Sequence, residues 1–153
     1  MTTGEQRVRE WEQGRYDWGA LVGAHYGMTW VSHDGNEALL HWETREHDTF
    51  IGPKGRIVHG GLVAFLAETG MGTATMLTCG EDEEFATVEF NIQLQRPAPI
   101  GLLSCEARVT RRAKTVAFCE ATVKDGEGRV VAKASETNLI LAASGEKQAS
   151  AQD

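Results

Sequence analysis

One acidic side chain stands alone in a long uncharged part of the sequence. Between Gly60 and Gly80, Glu68 is the only Asp, Glu, Lys, Arg or His. The positions three and four residues away, its neighbours on a helix, offer no opposite charge and no amide. Burying an unpaired carboxylate is costly, and enzymes use such sites to hold acids, bases and nucleophiles at altered pKa values. The pattern favours catalysis by Glu68 about as strongly as a side chain that reaches a helix edge or bonds a sheet amide.

Two glycines and a histidine precede that carboxylate at the start of the same apolar run. Their order is His59, Gly60, Gly61. Glycines let the backbone approach a ligand closely, and the unpaired N–H groups of a first helical turn attract a negatively charged oxygen. An oxyanion hole needs this arrangement. The alternative is an ordinary helix entry in which His59 bonds the backbone.

The spacing of these two features bears on how many chains build one site. Glu68 follows Gly60 by eight residues, which on a helix is about 12 Å along the axis. One carbonyl group cannot touch both within one chain. Two antiparallel helices of a dimer would bring Gly60 of one protomer level with Glu68 of the other. Apart from Glu68, the helix face that would meet the partner is small: Gly61, Ala64, Gly72 and Thr75.

The elements that must hold these residues follow from the apolar periodicity. Residues 61–77 contain no proline and are apolar nearly all round, which predicts a buried helix. Short amphipathic helices are predicted at 5–26, and glycines and a proline predict an irregular segment at 45–58. Asp34-Gly35 predicts a tight hairpin between strands at 28–32 and 38–44.

The second half of the chain reads as four strands in a row. The segments are 86–95, 102–112, 116–124 and 129–141. Short turns between them favour antiparallel pairing of consecutive strands. The predicted fold class is therefore α+β, with an antiparallel sheet around one long helix.

Composition and charge exclude several classes of protein. The chain has 153 residues, of which 41% are hydrophobic and 24% charged; this predicts one soluble domain over residues 1–142, followed by a disordered tail at 143–153. The absence of a long apolar run and a polar N-terminus predict a cytoplasmic protein. A net charge of −7 argues against nucleic acid and anionic membranes as partners. Three cysteines without metal-type spacing predict reduced thiols in the core: Cys79, Cys105 and Cys119.

Two segments resemble one known family. The segment VHGGLVAFLAETGMGTA resembles the HGG signature of hotdog-fold acyl-CoA thioesterases of the phenylacetate-degradation (PaaI-like) and 4-hydroxybenzoyl-CoA type. In those families an acidic residue follows nine positions after the His, as Glu68 follows His59. The segment TVEFNIQLQRPAPIG is similar to their third-strand pattern, with Asn91 before Arg96 and Pro97.

The resemblance implies a fold, an activity and a set of site residues. The fold is a hotdog, with a sheet of about five to six antiparallel strands wrapped around the helix. The activity is hydrolysis of an aryl- or medium-chain acyl-CoA without metal or cofactor, in homodimers that pair into homotetramers. Glu68 is then the nucleophile or general base, and the Gly60 amide at the His59-Gly60-Gly61 turn polarises the carbonyl. Thr87 matches a Ser/Thr that positions water in some members, although a solvent-facing Thr is an equal reading.

One position departs from the family pattern. Members commonly carry Asn or Gln six residues before the HGG histidine, where this chain has Pro53. The family Gly three residues before the histidine is Arg56 here, with Gly55 one place earlier. Either Arg56 or His47 would have to substitute, or the activity differs.

A basic run offers a place for the CoA phosphates. On a regular strand Arg108, Arg112 and Lys114 share one face and Arg111 takes the other. The family places CoA contacts near this turn, and Asn91 is a further predicted substrate contact. A solvated edge in which the cations only prevent unwanted pairing is the alternative.

Two other functions stay open at this point. A non-catalytic acyl-CoA-binding protein would keep the fold without efficient turnover. A hotdog hydratase or dehydratase would need a His paired with an acid, but the residue five positions after Asp48 is Pro53 instead of His. Metal and nucleotide chemistry have little support, since no helical His pair and no phosphate-binding loop of the GxxxxGK type occur.

Overall fold

The computed structural model of the protein describes residues 3–13, 23 and 25–143. Its described residues include the helices α1 (Thr3–Glu12) and α2 (Gly60–Leu77), and a 3-10 turn at Glu46–Asp48. The eight strands are β1 (Met28–Asp34), β2 (Glu37–Thr44), β3 (Thr49–Gly52), β4 (Gly55–Val58), β5 (Glu83–Leu94), β6 (Gly101–Arg112), β7 (Val116–Asp125) and β8 (Val130–Ala142). The predicted tail lies outside the described residues except for Ala143, as does part of the predicted N-terminal helical region.

Six strands form one antiparallel sheet in the order β1-β2-β6-β7-β8-β5. Strands β3 and β4 form a separate hairpin. Helix α2 contacts β6, β7, β2, β5 and β8, so it lies across one face of the sheet. The expected α+β layout, with one sheet around one long helix, is confirmed.

Alternation along the strands builds the core. Buried positions repeat every second residue in β2, β6, β7 and β8, and these side chains meet α2. Trp42 and Leu40 on β2 are almost fully buried against this layer, as are Leu66 and Met71 on the helix. From Gly70 to Leu77 every residue of α2 is buried, which confirms the prediction of a helix enclosed on most sides.

Two local predictions differ from the structure. The first hairpin is present, but Asp34 pairs with Glu37, so the two turn residues are Gly35 and Asn36. Of these two turn residues only Gly35 has a positive φ, +59°. This suits a turn with glycine at its first central position. The segment 45–58 was expected to be irregular, yet Gly52 and Gly55 close a regular hairpin between β3 and β4.

The order of pairing also departs from simple sequence order. Strand β5 pairs with β8 at the edge of the sheet, whereas β6 lies between β2 and β7. The connection between β5 and β6 contains Pro97 and Pro99, which have no N–H to donate to a strand ladder. It is held instead by Gln95 N–H, which donates to Val131 O at 2.8 Å, and by Ala98 O, which accepts from Val58 N–H at 2.9 Å. The connection therefore crosses the end of the sheet rather than forming a hairpin.

Close contact between α2 and β6 yields a stability prediction. A Cβ at Gly70 would lie 2.6 Å from Cys105 Sγ and 3.2 Å from Ala107 Cβ. We expect Gly70→Ala to lower the free energy of unfolding by about 2 kcal/mol, because overpacking outweighs the better helix propensity of alanine. Urea denaturation measures this loss.

The matched control removes the atom that clashes. Cys105→Ala takes away Sγ, so the double variant should be more stable than the sum of the two single changes predicts. Additive effects, or an undiminished stability in Gly70→Ala alone, would show that the helix and β6 are not in this close contact.

Candidate active site

The isolated carboxylate Glu68 lies half-buried on α2. The Thr87 hydroxyl on β5 lies close enough to this carboxylate to stabilise its charged form. Burial raises the pKa of Glu68 above its ordinary value, and the Thr87 hydrogen bond partly opposes the rise. Among the described residues no ion pair involves Glu68. Thr87, left open as a solvent-facing residue, is thus exposed at the sheet edge yet close to the carboxylate.

A second carboxyl group, Glu136 on β8, joins this cluster. Its Oε1 lies 3.4 Å from Thr87 Oγ1 and accepts a 2.6 Å hydrogen bond from Asn138 Nδ2. The side chain is 3% exposed. Burial raises the pKa of Glu136 to about 7; the Asn138 hydrogen bond opposes this rise and the charge of Glu68 adds to it. The Thr87 hydroxyl therefore stands between two carboxyl groups.

A buried polar network backs Glu136 on the side away from Thr87. Asn138 Nδ2 also donates to Thr75 Oγ1 at 2.8 Å, and that hydroxyl lies 3.1 Å from Cys119 Sγ. Within the described part of the chain, Glu136 Oε2 and Asn138 Oδ1 are buried without a hydrogen-bond partner. The network is thus only partly satisfied.

Sequence reasoning missed Glu136, although the alternation of β8 contains the signal. The inward positions of β8 carry Ala132, Ala134, Glu136, Asn138 and Ile140. Two polar residues in this otherwise apolar register are unusual, because buried polar groups need partners. Glu136 is the one charged residue among these inward positions, which is the same kind of signal as Glu68 in its apolar helix.

The three cysteines are free and buried, as predicted. Burial raises the pKa of Cys79 to about 11 and that of Cys105 to about 12. Burial also raises the pKa of the Cys119 thiol, against an opposing hydrogen bond from Thr75. Nucleophilic cysteine chemistry needs the thiolate, so these thiols are poor nucleophiles.

The start of α2 leaves one amide unused. His59 is the N-cap, and its Nδ1 accepts a 3.0 Å hydrogen bond from Gly61 N–H. No hydrogen bond among the described residues uses the Gly60 N–H. Gly61 was expected to contribute to the same helix end, and its N–H does so by bonding the His59 cap. Gly60 alone remains as the donor, and His59 serves as the cap that holds it in place.

The helical spacing between Gly60 and Glu68 is as predicted, but the small face is only partly open. A Cβ at Gly72 would lie 3.4 Å from Phe85, and Thr75 belongs to the buried network. The open part of this face is therefore its first half, where Ala64 and Glu68 are half-buried. A partner subunit or a substrate could therefore approach the first half of α2, and not its whole length.

The hairpin β3–β4 presents no amide side chain where the family pattern has one. Pro53 lies in its turn. Arg56 Nε pairs with Glu46 at 3.1 Å, and His47 Nε2 lies 3.5 Å from the buried carboxylate of Asp48. Both proposed substitutes for the family amide are thus engaged by neighbouring acids.

The basic run does not share faces as predicted. A bulge between Val109 and Arg111 shifts the register, so that Arg111 pairs with Phe118 on the outer face and Arg112 with buried Ala117. Arg112 then reaches Glu83 at 2.7 Å and also donates to Ala113 O.

Two cations of the run remain unpaired. Arg108 Nε donates to Glu120 Oε1 at 2.7 Å. In the described part of the chain no ion pair engages Arg111 or Lys114, and both are exposed. These two are the cations left for an anionic ligand.

Asn91 lies on the outer face of β5, away from Glu68. It pairs in register with exposed Ser135, whereas Thr87 and Phe90 pair with the buried Asn138 and Glu136. A bulge between Thr87 and Glu89 changes which positions of β5 face inward, from Thr87 before the bulge to Phe90 after it. The structure does not bring Asn91 to the carboxyl cluster of its own chain.

The described residues contain no group of three His, Cys, Asp or Glu side chains arranged to hold a metal ion. No helix among them combines the length and apolar character needed to cross a membrane.

A family model for the thioesterase superfamily matches residues 55–132, just over half of the 153-residue chain. The chain belongs to the thioesterase superfamily. The matched segment contains the His59-Gly60-Gly61 turn, Glu68 and Thr87, and it ends before Glu136.

Relatives of this thioesterase-superfamily chain agree with the assignment. The protein named "Putative esterase SSO2140" from Saccharolobus solfataricus is 31% identical over 88 residues, which cover 58% of this chain and 62% of that protein. The chain therefore spans less than two thirds of the length of that curated relative.

Solved structures share the fold. A thioesterase family protein from Silicibacter pomeroyi superposes with a TM-score of 0.78 at 22% identity, covering 91% of this chain and 98% of that one. A phenylacetic acid degradation-related protein from Ralstonia eutropha JMP134 gives 0.74 at 22% identity, covering 86% and 97%. The hotdog fold expected from the resemblance is thus confirmed.

Proposed function

We propose that the protein hydrolyses the thioester of an aryl- or medium-chain acyl-CoA to the free acid and CoA. The observation that carries this proposal is the carboxylate of Glu68, which is half-buried, close to the Thr87 hydroxyl and paired with no cation among the described residues. Such a group can serve as a base or nucleophile near neutral pH. The superfamily to which the chain belongs supports the same class of reaction.

The chemistry follows from two groups. With Glu68 as general base, the carboxylate takes a proton from water while the water oxygen bonds to the thioester carbon. The carbonyl electrons move to oxygen, and the Gly60 N–H stabilises that oxyanion. The tetrahedral intermediate then expels the CoA thiolate, which takes up one proton. As nucleophile, Glu68 would instead form a mixed anhydride and release the thiolate first, before water hydrolyses the anhydride.

A second protomer completes the site in this proposal. Gly60 and Glu68 of one chain are too far apart along α2 to act on one carbonyl. Strand β5 is a 12-residue edge strand whose Val88 and Leu94 are 62% and 53% exposed. Long exposed edges with apolar side chains pair with other strands. Antiparallel pairing of two β5 strands would cover this edge and make a homodimer.

The contacts of each catalytic group along β5 favour this pairing. Gly60 lies against Leu94 near one end of β5, since a Cβ there would be 2.5 Å from Leu94 Cδ1. Glu68 contacts Thr87 nearer the other end. A two-fold axis between Phe90 and Asn91, midway from Thr87 to Leu94, would set the partner's Leu94 opposite Thr87. Gly60 of the partner would then approach Glu68, and Asn91 would lie beside the axis. Further pairing of dimers into a homotetramer remains part of the proposal.

The CoA part of the substrate yields a prediction. Arg111 and Lys114 are the exposed cations of the basic run without an ion pair in the described part of the chain. We expect Arg111→Ala with Lys114→Ala to raise KM for an acyl-CoA about tenfold, the effect of losing one charge-assisted contact to phosphate. Steady-state kinetics measures it.

Two controls isolate the phosphate contact. The same acyl group on pantetheine, which lacks the nucleotide phosphates, should show an unchanged KM. Arg108→Ala removes a cation already paired with Glu120. It should leave KM unchanged for both the acyl-CoA and the acyl-pantetheine. An equal rise for both thioesters would place the two cations away from the CoA phosphates.

One observation favours a second function, non-catalytic acyl-CoA binding. Pro53 stands where the family pattern has an amide, and Arg56 and His47 are paired with acids. The hydratase alternative has no such support, since no described hydrogen bond or ion pair joins a histidine to Glu68 or Glu136.

A thiol-release assay across aryl- and alkyl-CoA thioesters separates the three functions. Release of free CoA supports hydrolysis. Tight binding of acyl-CoA without release supports the binding protein. Conversion of an enoyl-CoA without free thiol would indicate hydration.

A further inference from the structure

We propose that Glu136 is a positioning residue of this site, which in its neutral form leaves the single proton of the Thr87 hydroxyl to be donated to Glu68. The proposal rests on the proposed function, because it takes Glu68 as the catalytic carboxylate. Glu136 lies outside the segment that matches the superfamily model. It is therefore a feature of this chain that the family match does not cover.

Thr87 has a single hydroxyl proton for two neighbouring carboxyl groups. A threonine hydroxyl has one proton to donate, although its oxygen can also accept. Thr87 contacts both Glu68 and Glu136. Two ionised carboxylates are acceptors only, so Thr87 could satisfy just one of them. In the structure the Thr87 proton is directed at Glu136 Oε1, which also accepts from Asn138 Nδ2. When one carboxyl group is protonated it becomes the weaker acceptor, so the Thr87 proton goes to the other, ionised group.

The surroundings decide which carboxyl group is neutral. The titratable groups that face Glu136 are Glu68 from α2 and Cys119 from β7. From β5 it meets Thr87 and its register partner Phe90, and from its own strand Asn138. Among the residues that the structure describes, no cation faces Glu136, so none of them offsets two adjacent negative charges.

Burial then assigns the proton to Glu136. Its side chain is 3% exposed, whereas Glu68 is half-buried. Its Oε2 has no partner in the described part of the chain, and a charged buried oxygen without a partner is the costlier state. The pKa of Glu136, raised to about 7, agrees with this assignment. Glu68 is left as the ionised member that accepts from Thr87.

Deprotonation of Glu136 at higher pH should lower kcat. As the pH rises through about 7, Glu136 loses its proton and competes with Glu68 for the single Thr87 proton. It also places a second negative charge beside Glu68, where the oxyanion of the reaction must form. We therefore expect kcat of the parent protein to fall on the alkaline side of pH 7, as an effect of Glu136.

The test is the pH profile of kcat for Glu136→Gln from about pH 5 to about pH 9. Glutamine keeps the shape and an oxygen that accepts from Asn138, but it cannot ionise. The expected result is a kcat near pH 6 within a few-fold of the parent and no decline above neutral pH. The control Glu106→Gln removes a carboxylate that pairs with Lys124 on the outer face of β6 and β7, away from the proposed dimer edge, and should keep the parental profile. A parental decline in Glu136→Gln, or a uniform loss at every pH with unchanged shape, overturns the proposal.

A second measurement needs neither a variant nor activity. Carbon-13 NMR titration of the glutamate carboxyl groups in the full chain should show one buried carboxyl group that titrates near pH 7 and shifts a second, coupled one. Titration of all of them below about pH 5 would overturn the proposal even if Glu136→Gln did not fold. Absence of thioester hydrolysis in the parent would instead reject the proposed function while leaving the NMR result to decide on Glu136.

Discussion

Replacing Glu68 by glutamine should lower kcat for acyl-CoA hydrolysis by about a thousandfold, the usual contribution of a general base, or about 4 kcal/mol of transition-state free energy. The amide has the same shape and can still accept from Thr87, but it cannot take a proton from water or form an anhydride. KM should change little, because the loss falls on the transition state. Steady-state thiol release gives both constants.

The pH dependence of the parent provides a second check on Glu68. The group must be ionised to act, so kcat should fall as the pH falls through its pKa. Because burial raises that pKa, the acid limb should lie above the ordinary value of 4.5. Glu106→Gln, which removes a carboxylate paired with Lys124 away from the proposed dimer edge, should leave kcat unchanged. Undiminished hydrolysis by Glu68→Gln would reject the assignment.

Replacing Gly60 by proline should lower kcat by a factor of about a hundred to a thousand, the usual cost of losing one oxyanion donor. Proline has no N–H but is well suited to the first position of a helix. The preceding residue, His59, has φ −60° and ψ 127°, the extended conformation that proline requires before it. The variant should therefore keep α2 and lose only the amide hydrogen.

The matched control for this change is Gly60→Ala. Alanine and proline both add a Cβ near Leu94 Cδ1, which is the end of a flexible and exposed side chain, but alanine keeps the N–H. We expect Gly60→Ala to retain most of the parental kcat. Equal losses in the two variants would assign the effect to steric contact and remove the amide from the mechanism.

The long helix and most of the sheet could be predicted because their signals are local. Residues 60–77 are apolar without proline, and the strands β6, β7 and β8 alternate cleanly between buried and exposed residues. The pairing of β5 with β8 could not be predicted, because it depends on how the Pro97 and Pro99 connection crosses the sheet.

Bulges decide which face of the sheet single side chains occupy. One extra residue in a strand reverses the faces of all that follow. The bulge before Arg111 turned Arg112 inward to Glu83, and the bulge after Thr87 left Asn91 on the outer face. No composition signal marks either bulge, since both arise from fitting the strand to its neighbours.

The candidate site was predictable where one residue stood out and not where several had to meet. Glu68 and the Gly60 turn were visible as an isolated charge and a glycine pair. The contact of Glu68 with Thr87 and of Thr87 with Glu136 joins three separate elements, α2, β5 and β8. Such a cluster depends on tertiary packing, although the inward register of β8 already marked Glu136.

Subunit complementation tests the composite site most directly. Glu68→Gln and Gly60→Pro proteins, each nearly inactive, are unfolded together and refolded as an equal mixture. A mixed dimer would have one site with both groups intact, so random pairing should restore about one quarter of the parental activity per chain. Activity that stays at the level of the two separate variants, while mass spectrometry shows mixed dimers, would contradict a site shared between Glu68 of one protomer and Gly60 of its partner.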